Sequence, residues 1–191
     1  MKGESAIVKY RWILLGAVTA AGLFLDLGTK YLAYTRLEEH VPVEVIGRYL
    51  MWKLVYNDGA VFGTNIAALL PWLPPAVFFV TFMLLAIGFL LFYFKMLKKD
   101  EVLLHIGMML VMPGALGNLH DRIAYGDKGV VDFILMGIPP NHYWFIYNVA
   151  DIFVTVGVSI MVIYFIVESF KKQVKGDDGQ QEVQAKEGAQ D

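Results

Sequence analysis

Four apolar segments dominate the chain, at about 11–34, 71–94, 102–119 and 146–167. Each is close to the roughly 20 residues that a helix needs to cross a hydrocarbon core about 30 Å thick. Inside such a core every backbone N–H and C=O must be satisfied within the protein, which leaves helices for segments of this length. The composition agrees. Of 191 residues 57% are apolar and the mean hydropathy is +0.53, too apolar for an ordinary soluble domain. The sequence therefore predicts an all-α membrane protein of four transmembrane helices.

The first segment follows a short basic stretch with Lys2, Lys9 and Arg11, and continues past Asp26 and Lys30 to about Tyr34. That is too long for the apolar core of a removable signal peptide and reads as a retained helix. The second begins among Pro71, Pro74 and Pro75, residues that suit the start of a helix better than its interior. Between them, 36–65 carries charges, Pro42, Gly47, Gly59 and Gly63, and the alternating run Leu50–Tyr56. It reads as a small extramembrane unit of short strands between helices 1 and 2. Residues 120–145 read as a mixed polar and apolar connection. Residues 1–170 form one membrane-embedded domain, and the polar stretch 171–191 is expected to be a disordered cytoplasmic tail.

Basic residues fix the expected orientation. Lys2, Lys9, Arg11, Lys95, Lys98, Lys99, Lys171, Lys172, Lys175 and Lys186 fall on one side; Arg36, Arg48, Lys53, Arg122 and Lys128 fall on the other. Both termini are thus expected in the cytoplasm, with the 36–65 unit and the 120–145 connection sharing the outer face.

Several chemistries lose support. The chain has no cysteine, which removes disulfides, thiolate metal sites and a cysteine nucleophile. Its serines, Ser5, Ser159 and Ser169, sit in no Gly-x-Ser-x-Gly turn. His40, His105, His120 and His142 form no His-Glu-x-x-His pattern, and no metal is expected. A net charge of −2 gives no general attraction to nucleic acid.

Asp132 and Asp151 are the residues that this composition leaves unexplained. Asp132 lies within Gly129-Val130-Val131-Asp132-Phe133, and Asp151 precedes Ile152-Phe153-Val154. Ionisable groups beside hydrocarbon are costly and by default functional. The predicted topology puts both near the outer boundary, where they can form an acid/base pair. Capping of a helix start explains Asp151 or Asn148 alone, but not Asp132. Three further groups carry two readings each. Asp26, Thr29 and Lys30 share one helix face, either as site support or as an internal ion pair. Asn57-Asp58-Gly59 is a turn, or a turn that also lines a pocket. Asn118, Asp121 and Arg122 share a face after the small residues Gly114, Ala115 and Gly117, with Arg122 an anchor or a phosphate or backbone ligand.

The series Asp26-x-x-Thr29-Lys30, Asn57-x-Gly59-Ala60-x-Phe62, Gly114-Ala115-x-Gly117-Asn118-x-x-Asp121-Arg122, Val131-Asp132-Phe133 and Asn148-x-Ala150-Asp151 resembles lipoprotein signal peptidase, the type II signal peptidase of bacteria. The match covers about 12–167. Any one motif is weak; five in order are specific. Pro113, where a glycine often stands, and Val61, where a small residue is common, depart from the pattern. The resemblance implies an aspartic endopeptidase of the bacterial inner membrane that cuts diacylglyceryl-modified prolipoproteins just before the lipidated cysteine. It implies a catalytic dyad at Asp132 and Asp151, and substrate contacts at Asn57, Asn118, Arg122 and Asn148. It places support at Asp26 and Lys30, beside Asp121, and a small β-cradle over 36–65. No cofactor is implied. Partners are lipidated prolipoproteins and membrane lipid, and a monomer is expected. One carboxyl would activate water while the other protonates the carbonyl oxygen and the leaving amine. Asn57 is expected to orient the peptide without touching the titrating pair. The competing classes are a small proton-coupled transporter or channel and a non-enzymatic assembly factor.

Overall fold

The computed structural model describes residues 6–58, 72–139, 142–143 and 145–187. After one helical turn at Ala6–Lys9 come α1 (Arg11–Arg36), β1 (Val43–Ile46), β2 (Leu50–Asn57), α2 (Pro75–Met96) and α3 (Val102–Tyr125). Then follow β3 (Val130–Ile138), β4 (His142–Tyr143) and α4 (Val149–Glu187). All four helices contain a stretch long and apolar enough to cross a membrane. In α3 61% of that stretch is buried, against 17%, 11% and 11% in α1, α2 and α4, so α3 is the central helix and the others face outward. Their exposed Phe24, Leu85, Phe89 and Ile163 are what a lipid-facing surface requires.

Small residues let α3 and α4 approach closely. A Cβ on Gly114 would collide with the Ala150 carbonyl oxygen and lie 2.7 Å from Val154 Cγ2; one on Gly107 would lie 2.8 Å from the Gly157 carbonyl oxygen. On the other side of α3, Pro113 packs against Gly22 of α1, so the ring has its own glycine opposite. At the end away from the sheet, Leu15, Phe94, Leu97, Leu104, Met108, Met109 and Met112 form the core. His105 is buried there, with Nδ1 2.8 Å from the Glu101 carbonyl oxygen and its ring edge-on to Phe94.

The four strands make one antiparallel sheet in the order β1-β2-β3-β4. This corrects the expected architecture in one respect. The sheet is not built by 36–65 alone; two of its strands come from the connection between α3 and α4. The register sets Val55 opposite Asp132 and Asn57 opposite Val130, with an irregularity between Trp52 and Val55. Gly129, at φ +89, allows β3 to begin against the Asn57 carbonyl, where a side chain would collide.

Helix boundaries also differ from expectation. α3 runs to Tyr125 rather than 119, which places Asp121 and Arg122 on the helix. α4 starts at Val149 rather than 146, because the Tyr147 backbone is engaged with Ile134 of β3. α2 starts at Pro75; position 71, and Gly59, Ala60, Val61, Phe62 and Gly63 of the expected turn and strand unit, lie outside the described residues. The backbone of α4 remains helical to Glu187, over much of the stretch expected to be disordered. Extending an existing helix needs no new nucleation, and Gln, Glu, Lys and Ala are good helix formers.

Candidate active site

Three elements converge at the sheet end of the bundle. β3 delivers Asp132, which is 2% exposed. The Tyr147 N–H donates to the Ile134 carbonyl (3.1 Å) and the Tyr147 carbonyl accepts from Ile134 (2.8 Å), fixing the chain one residue before Asn148 against β3. From there α4 begins, and its first turn carries Asp151. Asn148 accepts from the Asp151 N–H through Oδ1 (3.0 Å), while Asp151 Oδ2 accepts from the Asn148 N–H (3.2 Å). That is a reciprocal cap, which satisfies helix N–H groups otherwise without partners.

The two aspartates are joined by asparagines. Asn148 Nδ2 donates to Asp132 Oδ1 at 2.7 Å and Asn57 Nδ2 donates to Asp132 Oδ2 at 2.9 Å. Asn118 Nδ2 donates to Asp151 Oδ1 at 2.9 Å, and Asn118 Oδ1 accepts from Asn148 Nδ2 at 3.1 Å. Asn148 is wholly buried. Capping and pairing thus coincide in the same residues.

Behind this layer sits a buried ion cluster. Lys30 Nζ forms ion pairs with Asp26 Oδ2 at 2.9 Å and Asp121 Oδ2 at 2.8 Å and donates to Asn118 Oδ1 at 3.0 Å. Each acid also ties down backbone. Asp26 Oδ1 accepts the Ala150 N–H of α4 at 2.8 Å, and Asp121 Oδ2 accepts the Val131 N–H of β3 at 3.1 Å. A Cβ on Gly117 would collide with the Asp26 carboxylate, so the glycine makes room for the cluster. Both readings of the Asp26–Lys30 face therefore meet: it is an internal ion pair, and it adjoins the aspartate pair.

Burial raises the Asp132 carboxyl from the ordinary 3.8 to about 7. The Asn57 hydrogen bond opposes that rise, the Asp151 charge adds to it, and Asn148 and Lys30 oppose it. Asn57 thus touches the titrating group itself, contrary to the expectation that it orients peptide only.

The remaining candidates stand elsewhere. Arg122 is buried near the C-terminus of α3, with its guanidinium carbon 4.3 Å from the centre of the Phe79 ring of α2, a cation–π contact. The Thr29 hydroxyl donates to the Leu25 and Asp26 carbonyls of its own helix and takes no part in the ion cluster. It lines instead a mostly apolar cavity of about 680 Å³ between α1 and the sheet, with Leu32, Ala33, Arg36, Trp52 and Phe133. Sequence reasoning assigned nothing to the Val131 and Ala150 amides or to Phe79. The amides leave no side-chain signature, and Phe79 lies in an unbroken apolar run.

A family model described as Signal peptidase (SPase) II matches residues 18–167. A lipoprotein signal peptidase of Ectopseudomonas mendocina (strain ymp) is 34% identical over 80% of this chain and 85% of its own length. One from Symbiobacterium thermophilum is 37% identical over 75% of this chain and 88% of its own. A solved structure described as a bacterial membrane enzyme superposes with a TM-score of 0.68 at 25% identity, covering 81% of this chain and 88% of that one.

Proposed function

The chain belongs to the signal peptidase II family, and on that premise we propose that it is an aspartic endopeptidase that removes signal peptides from diacylglyceryl-modified prolipoproteins, with Asp132 and Asp151 as its dyad. The observation that carries the reading is the pair itself: two carboxyls bridged by Asn148 and Asn118, one held near neutrality by burial, the other in the first turn of a helix. A helix N-terminus favours an anion. Asp132 therefore carries the shared proton and Asp151 is the carboxylate.

Asp151 removes a proton from water as its oxygen attacks the scissile carbonyl carbon. Asp132 gives its proton to the carbonyl oxygen. As the tetrahedral intermediate collapses, Asp151 passes its proton to the leaving amine, Asp132 takes one from a hydroxyl of the intermediate, the C–N bond breaks, and the pair is left with one shared proton. The sheet end faces outward from the cytoplasm and both termini lie inside, as the lysine and arginine placement favours. The apolar cavity between α1 and the sheet offers the substrate's acyl chains a place at Phe133, the residue after Asp132 on β3. Arg122, Asn57, Asn118 and Asn148 contact or position the peptide.

The test is purified protein in detergent given a diacylglyceryl-modified precursor peptide and the same peptide without lipid. Cleavage just before the lipidated cysteine, and much slower cleavage of the unlipidated peptide, is expected. No cleavage of either would overturn the reading in favour of proton transport by the buried aspartates.

A further inference from the structure

Asn118 joins the ion cluster to the aspartate pair by hydrogen bonds, and its two ends are not interchangeable. An ammonium only donates hydrogen bonds. Lys30 Nζ, 3.0 Å away, must therefore face Asn118 Oδ1. That leaves Nδ2, the donor end, facing Asp151 Oδ1 at 2.9 Å. Were the amide turned over, Nδ2 would oppose the ammonium and the carbonyl oxygen would oppose Asp151, two repulsive contacts. The Asn148 amide adds to the same preference by donating to Asn118 Oδ1 at 3.1 Å.

We propose that Lys30 is a positioning residue that, by fixing the orientation of the Asn118 amide, presents a permanent N–H donor to Asp151 and so makes Asp151, not Asp132, the base of the pair. This rests on the peptidase reading of the same site.

The groups around Lys30 support the assignment. Its Nζ is held by Asp26 and Asp121 as well as Asn118, and Lys30 is 4% exposed, so its position is fixed. Asp26 is anchored by the Ala150 N–H, directly before Asp151, and Asp121 by the Val131 N–H, directly before Asp132. The cluster thus touches the backbone next to each aspartate, and Asn118 carries it directly to the Asp151 carboxylate. His120 Nδ1, 3.3 Å from Asp121 Oδ1, and the Arg122 guanidinium, whose charge acts on Asp121 and Asp132, are further charged or titratable groups beside the cluster and the pair. Asp151 Oδ2 accepts the Asn148 N–H, so both its oxygens receive a donor fixed by the fold.

The experiment is a pH series of kcat and KM on the lipidated peptide for three variants. Asn118→Asp keeps an acceptor for Lys30, loses the donor to Asp151 and sets a second carboxylate beside it. It is expected to lose kcat about 100-fold or more with KM changed less than about threefold, and its acid limb should move to higher pH, because a base without its donor and beside a new carboxylate stays protonated longer. Lys30→Arg, still a cation that only donates, should keep the acid limb in place. Lys30→Gln, which can donate or accept, no longer fixes the amide and should raise the limb as Asn118→Asp does. If Lys30→Gln does not insert stably, Lys30→Arg decides, and an acid limb moved to higher pH in stably inserted Lys30→Arg overturns the proposal. An acid limb at the wild-type pH in Asn118→Asp, or a loss carried wholly by KM, overturns the proposal. Failure of the peptidase reading is separate, since then the wild-type protein cleaves nothing.

Discussion

Asp132 and Asp151 differ in what surrounds them, and that difference predicts their pH behaviour. With Asp132 as the acid, cleavage should fall as pH rises through about 7, where its carboxyl deprotonates. The Asn57 N–H stabilises the carboxylate form of Asp132 at 2.9 Å. Removing it in Asn57→Ala lets Asp132 hold its proton to higher pH, so the basic limb should move up while the acid limb stays. Turnover should drop about 10- to 100-fold, and kcat/KM against pH checks both. A basic limb unmoved in that variant would place Asn57 outside the titrating site. The polar residues themselves were legible in the sequence, because Asp26, Lys30, Asp132, Asn148 and Asp151 each interrupt an apolar run. Their partners were not. That Asn57 meets Asp132 depends on a strand register, and a register is set by long-range pairing.

Among the elements, the seam between α3 and α4 carries the site, since it holds Asn118 against Asp151. Gly114→Ala would press a methyl group into the Ala150 carbonyl, and backbone cannot step aside cheaply. Overpacking of this kind costs about 1–3 kcal/mol, so the purified protein should unfold at a lower temperature, with activity falling alongside; an unchanged unfolding temperature would mean that the seam has room for a methyl group. The small residues that make the seam were visible in the sequence, as was the alternation of β2. β3 was not, because Val130 to Leu135 is buried on both faces and shows no period of two. The extension of α3 past 119 was hidden by its charges, which hydropathy counts against a helix but which Lys30 pairs in three dimensions. The helical backbone beyond Lys171 leaves the tail's role open to a direct trial. A chain ended after Lys175 should still cleave at close to the full rate, and loss of activity in a stably inserted truncation would assign that segment a function.

For the whole molecule, the four-span topology puts the sheet and the aspartate pair at one end and the Lys95–Lys99 turn at the other. The absence of cysteine makes this measurable. Asp58→Cys and Asp127→Cys should react with an impermeant thiol reagent from outside intact cells, and Lys98→Cys should not; labelling at 98 from outside would invert the orientation. In the proposed reading, the aspartate pair transfers protons at the membrane boundary while the apolar cavity between α1 and the sheet takes the lipid anchor. Everything in that account depends on two carboxyls sharing one proton, a role an amide cannot fill. The most direct measurement is therefore the turnover of Asp132→Asn and Asp151→Asn, each purified as folded protein, on the lipidated precursor peptide. Both should lose at least about 1,000-fold in kcat with the protein still folded and inserted. Turnover within tenfold of wild type in either variant would contradict the dyad.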